Sequence, residues 1–186
     1  MTRHEMSLFS IVMGDAALAQ AEQNIRWLHH RIEDSYCGDR LLWAWLTPDA
    51  CLVQAESGST PEGFREVYRR PLAPVEVGQR VEVLGVVCPT VCTPRPGAKR
   101  GVRRPLPPER WPDWYTRKLS GALDVDGCRV ERLRKARAYK GQITATVQQC
   151  IAAASGTVVD VEALDRLRLA GVGTGKAYGC GLVVVR

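Results

Sequence analysis

The last sixteen residues, Gly171 to Arg186, constrain this chain more than any other segment. They read G-V-G-T-G-K-A-Y-G-C-G-L-V-V-V-R, with five glycines and one lysine in eleven residues, then a β-branched run. Glycine tolerates φ > 0 and lets a backbone approach its neighbours closely. Clustered glycine N–H groups form concave anion sites, and Lys176 adds a point charge to this one. The two common nucleotide loops are excluded. A Walker A loop needs G-x-x-x-x-G-K-[ST] before a helix. Here that frame runs from Ala170 to Ala177 and lacks both its first glycine and its final hydroxyl residue. The dinucleotide pattern G-x-G-x-x-G fails because Lys176 stands at its third glycine. The remaining readings are a glycine loop docked on a different polyanion, or a plain turn between helix and strand.

Charge points the same way. Residues 95–140 hold fourteen Lys/Arg against five Asp/Glu, whereas the rest of the chain holds twelve against fifteen. Such asymmetry is the electrostatic footprint of nucleic-acid binding. Aromatic residues Trp111, Trp114, Tyr115 and Tyr139 fall in the same window. The seven cysteines lack framework or zinc spacing and read as reduced thiols of a cytoplasmic protein. No apolar run of membrane-spanning length occurs, and the start at Met1 lacks the apolar stretch of a signal peptide. The sequence therefore implies no metal, no cofactor and no membrane.

Met6 to Met13 reads as a strand, and Ala16 to Glu33 as one helix with Ala17, Ala21, Ile25, Leu28 and Ile32 on its apolar stripe. Leu41–Leu46 and Cys51–Ala55 form a hairpin about Thr47-Pro48-Asp49. Pro61 opens a short helix to about Tyr68, and Arg80–Val87 is a fourth strand. This β-α-β-β-α-β order is the ferredoxin-like unit. Cys88 to Arg110 holds six prolines and five arginines, which argues against regular structure at its centre. Beyond it come a helix at Trp111–Leu119, strands at Cys128–Arg134, Gln142–Cys150 and Ala153–Val159, a helix capped by Asp160, and a closing strand from Gly181. The expected fold class is α+β, with two tandem ferredoxin-like domains. The first covers 1–88, a basic Pro-rich connection covers 89–110, and the second, with the glycine loop, covers 111–186.

The tail G-V-G-T-G-K-A-Y-G-C-G-L-V resembles the glycine-rich signature of the RAMP superfamily, specifically the repeat-RNA-processing endoribonucleases of CRISPR systems. The nearest branch is the CasE-like type I-E form or its type IV counterpart. Arg40-Leu41-Leu42-Trp43, Val77-Gly78-Gln79-Arg80-Val81 and Trp114-Tyr115-Thr116-Arg117-Lys118-Leu119 fall in that branch's order. The resemblance implies paired ferredoxin-like domains and metal-independent cleavage of precursor CRISPR RNA beside a repeat stem-loop. The products carry 2′,3′-cyclic phosphate and 5′-OH ends. It also implies retention of the guide hairpin within a type I-E or type IV effector complex. A non-catalytic RNA-binding subunit of that ribonucleoprotein is the alternative, and a protein holding a small phosphorylated ligand is a more distant one.

The family carries a histidine early in the first helix, often with a tyrosine one turn before. Alignment on Arg40-Leu41-Leu42-Trp43 puts Glu22 or Gln23 there, and neither replaces an imidazole as proton donor. His29 and His30 follow about two turns later and are the histidine candidates. Arg26 and Arg31 are the candidates for purely electrostatic catalysis, and loss of cleavage is the third outcome. Hairpin RNA is read through shape and phosphates. The expected contacts are Arg95, Lys99, Arg100, Arg103 and Arg104 on the Pro-rich connection, and Arg132, Arg134, Lys135, Arg137 and Lys140 beyond it. Gly173, Gly175 and Lys176 are expected to brace the strand near the scissile phosphate. Trp111 and Trp114 either stack bases or bury their helix, the second being favoured.

Overall fold

The computed structural model describes residues 6–38, 41–94, 97, 101–140 and 142–186, with backbone alone at Lys140 and Ile143. Strand β1 (Ser7–Met13) is followed by two helices, α1 (Asp15–Gln23) and α2 (Ile25–Glu33), where the apolar spacing predicts one. The break is Asn24, whose backbone is extended at φ −151° and ψ 101°. Its side-chain oxygen accepts the Arg26 N–H at 3.1 Å, a cap that starts a fresh helix. The same oxygen accepts the Tyr139 N–H at 3.1 Å and ties α2 to a distant strand. The predicted stripe is buried throughout: Ala17, Ala21, Ile25, Leu28 and Ile32.

Short strand β2 (Tyr36–Cys37) leads to β3 (Leu42–Trp45) and β4 (Ala50–Ala55), the expected hairpin. After β5 (Ser57–Gly58), the segment expected to be helical forms strand β6 (Phe64–Pro71). Pro61 suggested a helix start, but Phe64, Val67 and Tyr68 favour extended backbone, and the open edge of β1 supplies hydrogen bonds along the whole segment. The first sheet has the order β3-β4-β1-β6.

Strand β7 (Arg80–Val87), assigned from sequence to the first unit, pairs instead with strands of the second sheet. Next come a small hairpin, β8 (Thr90–Thr93) with β9 (Val102–Pro105), and helix α3 (Trp111–Leu119). The three strands expected between residues 128 and 159 are two long ones, β10 (Leu123–Lys140) and β11 (Ile143–Val158). Register shifts at 125/127 and 132/134 let this ribbon bend while pairing continues. Helix α4 (Val161–Ala170) begins as expected, Asp160 accepting the Ala163 N–H at 2.8 Å, and β12 (Val183–Val185) closes the sheet. The second order is β10-β11-β7-β12.

Both sheets place their strands, by position within the unit, as second, third, first and fourth, and every pairing is antiparallel. The fold is thus α+β with two ferredoxin-like units, the first lacking a helix in its second crossover. Trp111 and Trp114 are buried against the second sheet, so α3 uses them as core. The far half of β10 crosses to the first unit, where Ala136 and Ala138 pack under α1 and α2. A third cluster joins the units, with Leu42 and Ala44 against Val86, Cys180 and Leu182. Gln54 Nε2 donates to Arg168 O at 2.9 Å, so the seam has a polar tie as well as apolar contact, and within the second unit Gln149 Nε2 donates to Tyr178 O at 2.6 Å. Among the described residues no helix is long and apolar enough to cross a membrane.

Candidate functional site

The glycine tail leaves α4 at Gly171 and folds back on itself, Val172 N–H donating to Gly181 O at 2.8 Å. A Cβ at Gly173 would meet the Trp114 ring at 2.9 Å, and one at Gly179 would meet the Trp43 ring at 2.7 Å. Gly175 backs onto Cys180 and Cys88. Gly173 and Gly179 let the loop lie flat on the two indole rings, and Gly175 takes φ +80°, where an L side chain is strained. Gly179 has φ +68°, and Gly179→Ala combines a left-handed alanine (roughly 1–2 kcal/mol) with overpacking on Trp43 (~1–3 kcal/mol). The expected outcome is a melting temperature lower by roughly 5–15 °C, measured by calorimetry.

That packing places Lys176, on a short 3-10 turn (Lys176–Tyr178), beside α2. Lys176 lines a surface cleft of about 720 Å³ with His29, Glu33, Tyr36, Cys37, Gly38, Leu41 and Leu42. His29 stacks on Trp43 at 6.4 Å between centroids and 15° between planes. Its Nε2 lies 3.5 Å from a Glu33 carboxylate oxygen, and its Nδ1 is buried without a hydrogen-bond partner among the described residues. Burial pushes His29 below the ordinary imidazole pKa; Glu33 opposes that shift, while His30 and Arg26 reinforce it. His30 also faces Glu33, at 3.6 Å, but is 48% exposed and lies outside the cleft lining.

The other candidates separate. Arg26 sits one turn before His29, whereas Arg31 is turned aside, donating to Glu62 O at 3.1 Å and lying over Trp27. Glu22 and Gln23 lie on α1 and line a different cleft with Lys135, Arg137 and Tyr139. Arg132, Lys135 and Arg137 are exposed along β10. Arg134 is not on that face: its guanidinium stacks 4.1 Å from the Trp45 ring and donates to Leu46 O and Thr47 O, tethering ribbon to first sheet. Arg103 and Arg104 are exposed on β9, and the base of their hairpin meets the glycine loop through Thr90 Oγ1 and Thr174 Oγ1, 3.2 Å apart. Arg40, Arg95, Lys99, Arg100 and the Lys140 side chain lie outside the described residues. Sequence reasoning missed Glu33 and the seat that Trp43 gives His29. The i, i+4 spacing of His29 and Glu33 was the readable signal for the first.

Two ferredoxin-like units, a glycine loop packed on aromatic rings and a histidine–lysine cleft between loop and helix define the class. The chain belongs to the CRISPR associated protein family, which it matches over residues 13–186. Thermus thermophilus Cse3, solved bound to an RNA representing a pre-cleavage complex, is similar with a TM-score of 0.77 and 25% identity over 98% of this chain and 99% of that one. Escherichia coli K-12 Cas6e shares the fold at a TM-score of 0.71 and 22% identity, over 96% and 98% of the two chains. A chain of a CRISPR RNA-guided surveillance complex shares it at 0.71 and 19% identity, over 96% and 98%. No curated protein matches the sequence.

Proposed function

We propose that this chain is a metal-independent endoribonuclease that cuts precursor CRISPR RNA in its repeat beside a stem-loop and keeps the guide hairpin within an effector complex. The observation that carries the reading is the shared cleft of His29 and Lys176, brought together from α2 and the glycine loop. The 2′-oxygen attacks the adjacent phosphorus, and the bond from phosphorus to the 5′-oxygen breaks. The 2′-OH proton leaves to a base, and the departing 5′-oxygen takes a proton. His29, as its imidazolium, supplies that second proton from Nε2. Lys176 offsets charge developing on the phosphorane oxygens. The likeness to Cse3 in complex with RNA supports the substrate class, and the fold shared with the surveillance-complex chain supports the assembly.

The test is incubation of pure protein with a CRISPR repeat hairpin in excess EDTA, followed by end-group analysis. The expected product ends in a 2′,3′-cyclic phosphate opposite a 5′-OH. Tight binding with intact RNA replaces this reading by the non-catalytic subunit, and cleavage only on adding a divalent metal overturns the chemistry.

A further inference from the structure

The cleft that is to receive a phosphate already contains an anion. One Glu33 oxygen lies 3.5 Å from His29 Nε2 and 3.6 Å from His30 Nδ1, the two rings being 5.5 Å apart. Helical geometry makes this possible, since positions three and four residues before Glu33 share its face. Protonating both nitrogens of His29 leaves an N–H at Nδ1 with no acceptor among the described residues. A negative group at Nε2 offsets that cost.

We propose that Glu33 is a positioning residue that holds the proton of His29 toward the cleft in the RNA-free protein and cedes its place to the scissile phosphate on binding. The inference rests on the catalytic reading of His29 above. Both anions serve the imidazolium in the same way, so the exchange keeps the proton on Nε2 while the carboxylate swings out. Glu33 is 56% exposed and has room to do so. Among the described residues, the other titratable or charged groups facing His29 are Arg26 and His30 on α2, Tyr36 and Cys37 on β2, and Lys176 on the 3-10 turn. Tyr139 of β10 stands at the N-terminal end of α2. Among the described residues of this set, Glu33 is the one carboxylate.

Glu33→Gln changes an exposed side chain and leaves the core intact. In the RNA-free variant the His29 midpoint, followed by NMR of the imidazole ring, moves to lower pH, because burial, His30 and Arg26 then act unopposed. Affinity for a hairpin with 2′-deoxyribose at the cleavage position rises about fivefold, as expected for losing one like charge at contact distance in water. Bound to that hairpin, the variant and the parent share one His29 midpoint, because the phosphate has replaced the carboxylate in both. Glu33→Asp restores the original affinity. An unmoved His29 midpoint in the free variant, an unchanged or weaker affinity, or midpoints that still differ in the complex each overturns the proposal. The titration of the free variant needs no RNA, so it separates failure here from failure of the catalytic reading, which His29→Ala tests on its own.

Discussion

Cleavage by the His29→Ala variant is expected to fall by about 10²–10⁴-fold, the usual worth of one acid–base group, with hairpin affinity held within about twofold. His30→Ala is expected to stay within about twofold of the parent in both. The two neighbours differ in placement. His29 is 19% exposed, stacked on Trp43 and part of the cleft lining with Lys176, whereas His30 faces outward at 48%. The ring on Trp43 has a fixed plane, and a proton donor held in a fixed plane loses little freedom when the leaving oxygen arrives. The pH dependence has a definite sign. The acid form is the imidazolium, so the single-turnover rate falls as pH rises through the His29 midpoint. In the free protein that midpoint lies below the ordinary imidazole value, because burial outweighs the Glu33 carboxylate. Undiminished cleavage by His29→Ala, together with loss on Arg26→Ala, transfers the role to the arginine one turn earlier.

The helix break ahead of His29 was not legible in the sequence. Ala17, Ala21, Ile25, Leu28 and Ile32 keep helical rhythm straight through Asn24, so periodicity gives no sign of a break. Once Asn24 caps a second helix, His29 stands in the second turn of its own helix, with Arg26 one turn before it. Capping is legible only when a competing rhythm does not mask it. The elements decided locally were readable: the Asp160 cap, the Gly171 stop, the Trp111–Leu119 helix and the strand at Ser7–Met13. The elements decided by pairing were not. Phe64–Pro71 is a strand because β1 has a free edge, and Arg80–Val87 belongs to the second sheet because β11 and β12 flank it. The site divides along the same line. His29 and Lys176 could be named from residue type, but their meeting depends on a glycine loop pressed against Trp43 and Trp114. Arg134 shows the reverse error, a cation taken for surface charge that the fold spends on an indole ring.

Removing the exposed cations in two pairs is expected to show which parts of the basic surface hold RNA. Each neutralised phosphate contributes ~0.7–0.9 to the slope of log affinity against log salt, so at about 0.1 M salt each contact is worth roughly five- to eightfold. Arg103→Ala with Arg104→Ala, and separately Lys135→Ala with Arg137→Ala, should each weaken hairpin binding by about 25- to 60-fold at that salt and flatten the slope by roughly 1.4–1.8. The two pairs sit on different elements, the β8–β9 hairpin beside the glycine loop and the ribbon strand that crosses the first unit. Losses that add in free energy mean that one RNA spans both elements at once. Arg134→Ala is the internal control. Its guanidinium is committed to Trp45 and to two carbonyl oxygens, so its removal should lower stability by roughly 1–3 kcal/mol with the salt slope unchanged. A flattened slope in Arg134→Ala, or an unchanged one in both pairs, means the hairpin lies on another face, because counterion release follows the cations that touch phosphate and ignores those that hold the fold.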